Sequence, residues 1–152
     1  MQEYANQVQN QEAGEFFFQD LAATNGAAFA TVSSITEVRS DAVPHLPPNT
    51  FTVIVQGQQS VGKSRQQEVE KLNKIQIIML IVRLPHHHTD MLITLNSPIF
   101  ISAQSAAAEQ AGAGYKQGHV EAPELFRRII ATLKIIDWNL FSAGADIAQE
   151  EP

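Results

Sequence analysis

The run Gly57-Gln-Gln-Ser-Val-Gly62-Lys63-Ser64 has the residue types and spacing of a phosphate-binding loop. In such a loop the glycines let backbone N–H groups curl around phosphates. The lysine reaches the β- and γ-phosphates, and the serine hydroxyl binds magnesium. A second candidate is His86-His87-His88 with Asp90 close behind, which have the donor types of a metal site. Both need a scaffold to present them. A phosphate loop also needs an acidic residue at the end of a neighbouring strand and further βαβ units. The apolar run Ile75–Val82 ends instead in Arg83-Leu84-Pro85, and Asp90 precedes the next apolar run. Adjacent histidines in an extended loop point in alternating directions, so the triplet reads as an exposed polar loop. No Gly-x-Ser-x-Gly elbow occurs, and His45 and His119 have no partner marked by spacing. Catalytic, cofactor-binding and metal-binding residues are therefore all expected to be absent, with nucleotide binding through Gly57–Ser64 kept as the alternative.

The chain of 152 residues suits one domain with a real core. A net charge of −6 argues against nucleic acid or an anionic membrane as the main partner. With no cysteine, disulfides and thiolate chemistry are excluded. The longest apolar window, Ile75–Leu84, is too short to span a bilayer. Met1–Glu15 has neither the basic start nor the apolar run of a signal peptide.

Several elements can be placed from pattern alone. Phe16-Phe17-Phe18 predicts a short aromatic strand, followed by a turn or one-turn helix at Gln19–Ala22. Ala27–Val38 alternates loosely and predicts a strand. Ser40–Asn49, with Pro44, Pro47 and Pro48, must be loop. Phe51–Val55 is a strand, and Arg65–Asn73 is weakly helical. Ile75–Val82 is apolar on both faces and so predicts a strand covered on both sides. Met91–Leu95 should pair with it across the loop His86–Asp90, with Ile99–Ile101 as an extension or edge. Residues 102–118 form an Ala/Gln/Gly run that predicts a long mobile loop. Ala122–Lys134 predicts a helix with Pro123 in its first turn. Its apolar stripe is Leu125, Phe126, Ile129, Ile130 and Leu133, with Arg127 and Arg128 opposite. Trp138 and Phe141 are expected to pack the helix end onto the sheet, and Trp138 could instead anchor a partner. Residues 142–152 predict a disordered acidic tail. The sum is an α+β domain over 1–141, mostly antiparallel sheet covered by helices.

The order of these blocks resembles the Ran guanine nucleotide release factors. The likeness rests on Gln59-x-Val61-x-Lys63, the Arg83-Leu84-Pro85 strand end, Thr89-Asp90, Asn96-x-Pro98 and Asp137-Trp138-Asn139-Leu140-Phe141. Phe18-Gln19-Asp20-Leu21 resembles the family's Phe-Glu-Asp-Leu, and Glu3-Tyr4 the end of its Glu-Leu-Leu-Glu-Tyr. The resemblance implies a PsbP-like α/β/α sandwich. It also implies binding of the GTPase Ran, release of its guanine nucleotide, support of nuclear import and residence in nucleus and cytoplasm. Glu3 is the Ran-binding residue it implies, and the expected form is a monomer with no cofactor and no catalytic chemistry. The family's opening Phe-Gly-Gly-Ala and Asp-Leu-Arg-x-Val-Pro elements have no counterpart here. That predicts missing first strands, an exposed sheet edge and weakened Ran binding.

Overall fold

The computed structural model describes residues 2–62, 72–100 and 121–141. Four long strands and one very short one build an antiparallel sheet. They are β1 (Gln2–Glu3), β2 (Phe29–Glu37), β3 (Phe51–Val61), β4 (Asn73–Leu84) and β5 (Thr89–Phe100), in the order β1-β5-β4-β3-β2. Helix α1 (Asn10–Thr24) covers one face and helix α2 (Ala122–Ala131) the other. The expected α+β architecture with a mostly antiparallel sheet between helices is what is found.

β4 explains the two-sided core. Ile77, Met79 and Ile81 face α1 and pack with Phe17, Phe18, Val53 and Val55. Ile78, Leu80 and Val82 face α2 and pack with Phe126 and Ile130. A strand with side chains alternating into two dry layers has to be apolar throughout, as the Ile75–Val82 run is. β5 pairs with it from Leu84↔Thr89 to Lys74↔Phe100, so the hairpin is longer than Met91–Leu95. From Met91 onward the outer edge of β5 meets no strand among the described residues, and β2 forms the opposite edge.

The N-terminal expectation needs correction. Phe16–Phe18 is not a strand, and Gln19–Ala22 is not an isolated turn; both lie inside the 15-residue α1. Phe17 and Phe18 are fully buried while Phe16 is 40% exposed. A strand would have put Phe16 and Phe18 on one face. The helical stripe runs Ala13, Phe17 with Gly14, Phe18 and Ala22, at spacings of four. Aromatic β-propensity was the misleading signal, since tertiary burial overrides it. The ends are bracketed locally. At the start, the Gln9 N–H donates to Glu12 Oε2 at 3.3 Å. At the end, Gly26 takes φ +62, its N–H reaches the Ala23 carbonyl, and the Ala27 N–H reaches that of Ala22. This is a Schellman stop, which favours glycine at the left-handed position.

The α2 stripe also divides. Phe126 and Ile130 are buried, but Leu125 and Ile129 are about two-fifths exposed, and the helix ends at Ala131 rather than Lys134. Arg127 and Arg128 lie outward and pair with Glu124. The expected loop at 102–118, the disordered tail at 142–152 and most of the helix at Arg65–Asn73 lie outside the described residues.

The β4–β5 connection is a 3₁₀ turn at Pro85–His87 closed by His88 at φ 48. A side chain in that region costs about 1–2 kcal/mol, from which glycine's extra entropy loss must be subtracted. His88→Gly is therefore expected to raise stability by about 0.5–1 kcal/mol. It should be read as a later urea midpoint with an unchanged slope.

Candidate functional site

Over Gly57–Val61 the phosphate-loop spelling is strand, not loop. Gly57–Val61 is the second half of β3, paired with β4 from Gly57↔Ile77 to Val61↔Asn73 and with β2 from Val32↔Gly57 to Phe29↔Ser60. Backbone N–H groups committed to a sheet cannot curl around an anion. Gly57 has its own structural reason. A Cβ there would stand 2.4 Å from Phe18 Cζ and 2.5 Å from the Thr31 carbonyl oxygen, so glycine lets α1 sit against the sheet. Gln59 is buried, and its Oε1 accepts from Asn25 Nδ2 at 2.9 Å, tying β3 to the end of α1. Lys63 and Ser64 lie outside the described residues.

The histidine run is divided by its turn. His87 packs its ring against Trp138 and Phe141, with centroids 4.8 and 5.6 Å away. Trp138 and Phe141 thus pack onto the sheet end, against the α2-side core. Among the described residues no three His, Asp or Glu side chains come together as metal ligands.

The chemistry of this end of the sheet is carried by two residues that sequence reading named without joining them. Asp90 is not part of an exposed polar loop. It is the second residue of β5, 0% exposed, and stands directly across from Arg83, itself 2% exposed. Arg83 Nε donates to Asp90 Oδ1 at 3.1 Å. The rest of the guanidinium faces the chain's start. Nη1 donates to the Val8 carbonyl at 2.6 Å and to Asn10 Oδ1 at 3.2 Å, and Nη2 donates to the Ala5 carbonyl at 2.9 Å. The Ala5 N–H returns a bond to Asp90 Oδ2 at 2.8 Å. The Tyr4 ring covers the guanidinium at 4.3 Å, a cation–π distance. A buried ion pair needs this many partners, because the desolvation of both ions otherwise outweighs their attraction. Counting outward from the loop could have found it, since hairpin residues equidistant from the turn are neighbours.

Glu3 is placed beside this clamp, with its backbone paired to Thr89 in the edge strand β1. Tyr4, Asn10, Asn49, Arg83, His87 and Trp138 line a cleft of about 460 Å³ at the same end. Asn49 is, with His88, one of two described non-glycine residues at positive φ.

The family described as "Ran-interacting Mog1 protein" matches residues 1–98, from before β1 to within β5. The chain belongs to that family. Two relatives extend the likeness beyond the matched region. The Ran guanine nucleotide release factor of Danio rerio is 28% identical over 146 residues, covering 91% of this chain and 73% of the relative. The protein of that name in Homo sapiens is 24% identical over 135 residues, covering 88% of this chain and 68% of the relative. The Mog1-family match takes in Glu3, the Arg83–Asp90 pair and the whole of β3 with the phosphate-loop spelling.

Proposed function

We propose that this chain binds the GTPase Ran and promotes release of its guanine nucleotide, and so supports protein import into the nucleus. The observation that carries the reading is membership of a Ran-interacting family, with two release factors aligned over most of the chain. Nothing in this activity requires an acid, base or metal. A release factor works by differential affinity, binding the opened or nucleotide-free GTPase better than the loaded one. Each tenfold gain in release rate needs about 1.4 kcal/mol more stabilisation of the opening transition state than of the loaded complex. In this reading the chain is a binding protein without catalytic chemistry of its own.

Ran is the partner, engaged through Glu3 at the β1 edge. The net charge of −6 favours encounter with basic surfaces of a nucleotide pocket and switch region. The protein acts as a monomer in nucleus and cytoplasm, without nucleic acid or membrane as partner. No helix among the described residues is long and apolar enough to cross a membrane.

The test is release of a fluorescent guanine nucleotide from purified Ran, with this chain and with Glu3→Lys. Acceleration is expected, and the variant should lose about tenfold or more, as reversal of an interface charge does. No acceleration from a demonstrably folded sample overturns the reading.

A further inference from the structure

We propose that the buried Arg83–Asp90 pair is a positioning element for the partner contact, setting where the Glu3 strand lies on the sheet. The proposal rests on the reading of Glu3 as a Ran contact. β1 is two residues long and holds only the pairs Gln2↔Asp90 and Glu3↔Thr89. So short a strand cannot fix its own register. A slip of one residue displaces it by about 3.3 Å and turns each side chain to the opposite face.

The segment after β1 supplies the missing constraint. Residues 4–9 cross the sheet end to α1 as neither strand nor α-helix. Two bonds lie within the segment, from the Asn6 N–H to the Tyr4 carbonyl and from the Val8 N–H to the Ala5 carbonyl, both at 3.0 Å, and its remaining backbone groups need partners from elsewhere. The Tyr4 N–H goes to the His88 carbonyl at 3.0 Å. The Ala5 N–H goes to Asp90, and the Ala5 and Val8 carbonyls go to two nitrogens of one guanidinium. That planar fork fixes the spacing between the two carbonyls, as lysine or an apolar side chain could not. The desolvation of the two ions offsets much of their attraction, so stability alone is a weak reason for the pair. What the charged pair adds is a single position for Ala5, two residues from Glu3.

The test is a double-mutant cycle on Ran nucleotide release, with Glu3→Gln, Asp90→Asn and the double variant. The readout is the factor concentration for half-maximal release. Each single change is expected to raise it about tenfold, and the double variant should be little worse than either, since both act through one contact. Hydrogen exchange supplies a readout independent of Ran. Asp90→Asn should speed exchange of the Ala5 amide while the β4 amides stay protected. Where Asp90→Asn fails to fold, Arg83→Lys takes its place, keeping the charge and losing the fork that spans the Ala5 and Val8 carbonyls.

Multiplied effects in the double variant, about a hundredfold, overturn the proposal by making the two residues independent. So does a folded Asp90→Asn protein with wild-type release. If Glu3→Gln changes nothing, the reading of Glu3 as a contact is itself wrong and the proposal falls with it. An effective Glu3→Gln beside a silent Asp90→Asn defeats the positioning role alone.

Discussion

Arg83→Ala is expected to cost about 3–5 kcal/mol of stability, the usual result of breaking a buried ion pair by deleting one partner. The removed guanidinium serves four acceptors: Asp90, the Val8 carbonyl, Asn10 and the Ala5 carbonyl. After truncation the Asp90 carboxylate stays fully buried with the Ala5 N–H as its remaining partner in the described network. The Val8 carbonyl loses its guanidinium donor at the same time, a further penalty of about 1–3 kcal/mol where water cannot enter, while the Ala5 carbonyl keeps the Val8 N–H at 3.0 Å. Domains are typically stable by about 5–15 kcal/mol, so the variant should be partly unfolded at ambient temperature. Urea unfolding of Arg83→Ala beside the double replacement Arg83→Met with Asp90→Leu separates the contributions. The apolar pair removes the stranded charge and should recover part of the loss. Full recovery is not expected, because neither methionine nor leucine can donate to the two carbonyls. A single-variant loss under about 1 kcal/mol would mean that water, not Arg83, satisfies this end of the sheet.

The same pair marks the limit of what the sequence disclosed. The β4–β5 hairpin was legible because Ile75–Val82 carries no charge and only one polar residue, Gln76. A run that apolar has few solutions besides a strand covered on both faces. The α2 helix was legible from Pro123 and its apolar stripe. Phe51–Val55 was seen, but its continuation through Gly57-Gln-Gln-Ser was not, because glycine and glutamines are poor strand formers. Their places depend on Phe18 and Asn25 across the interface, and no local signal reports those contacts. The triple phenylalanine misled for a related reason. Strand and helix both bury aromatic residues, and the deciding features were Ala13, Gly14 and Ala22 at helical spacing with Gly26 as a stop. Asp90 and Arg83 look like polar punctuation around a turn. Only the paired register of a hairpin and the return of residues 4–9 across its end turn them into a buried clamp. The family likeness reached the residues Arg83-Leu84-Pro85 and Thr89-Asp90 without supplying the reason for their types.

Gly57→Ala is the sharpest way to separate the two meanings of the Gly57–Ser64 spelling, and it is expected to cost about 2–3 kcal/mol through overpacking. Alanine normally gains about 0.5–1 kcal/mol over glycine inside a strand or helix, so the predicted sign is opposite to the intrinsic preference. The reason is space, not torsion, since among the described glycines only Gly26 takes a positive φ. The new methyl group would meet Phe18 Cζ at 2.4 Å and Cε2 at 2.8 Å. It would also meet the Thr31 carbonyl oxygen at 2.5 Å, a backbone atom of β2 that cannot swing aside like a side-chain tip. Phe18→Leu should relieve the first clash and leave the second. The double variant is then expected to be about 1 kcal/mol more stable than the sum of the single effects, with recovery still incomplete. A phosphate-cradling glycine predicts another pattern: nucleotide binding with magnesium abolished by Gly57→Ala, an unfolding free energy little changed and no coupling to Phe18. Denaturant curves for the two single variants and the double decide the matter without any partner protein. Coupling between Gly57 and Phe18 would assign this glycine to the contact between helix and sheet, and its absence would return the phosphate-loop reading to consideration.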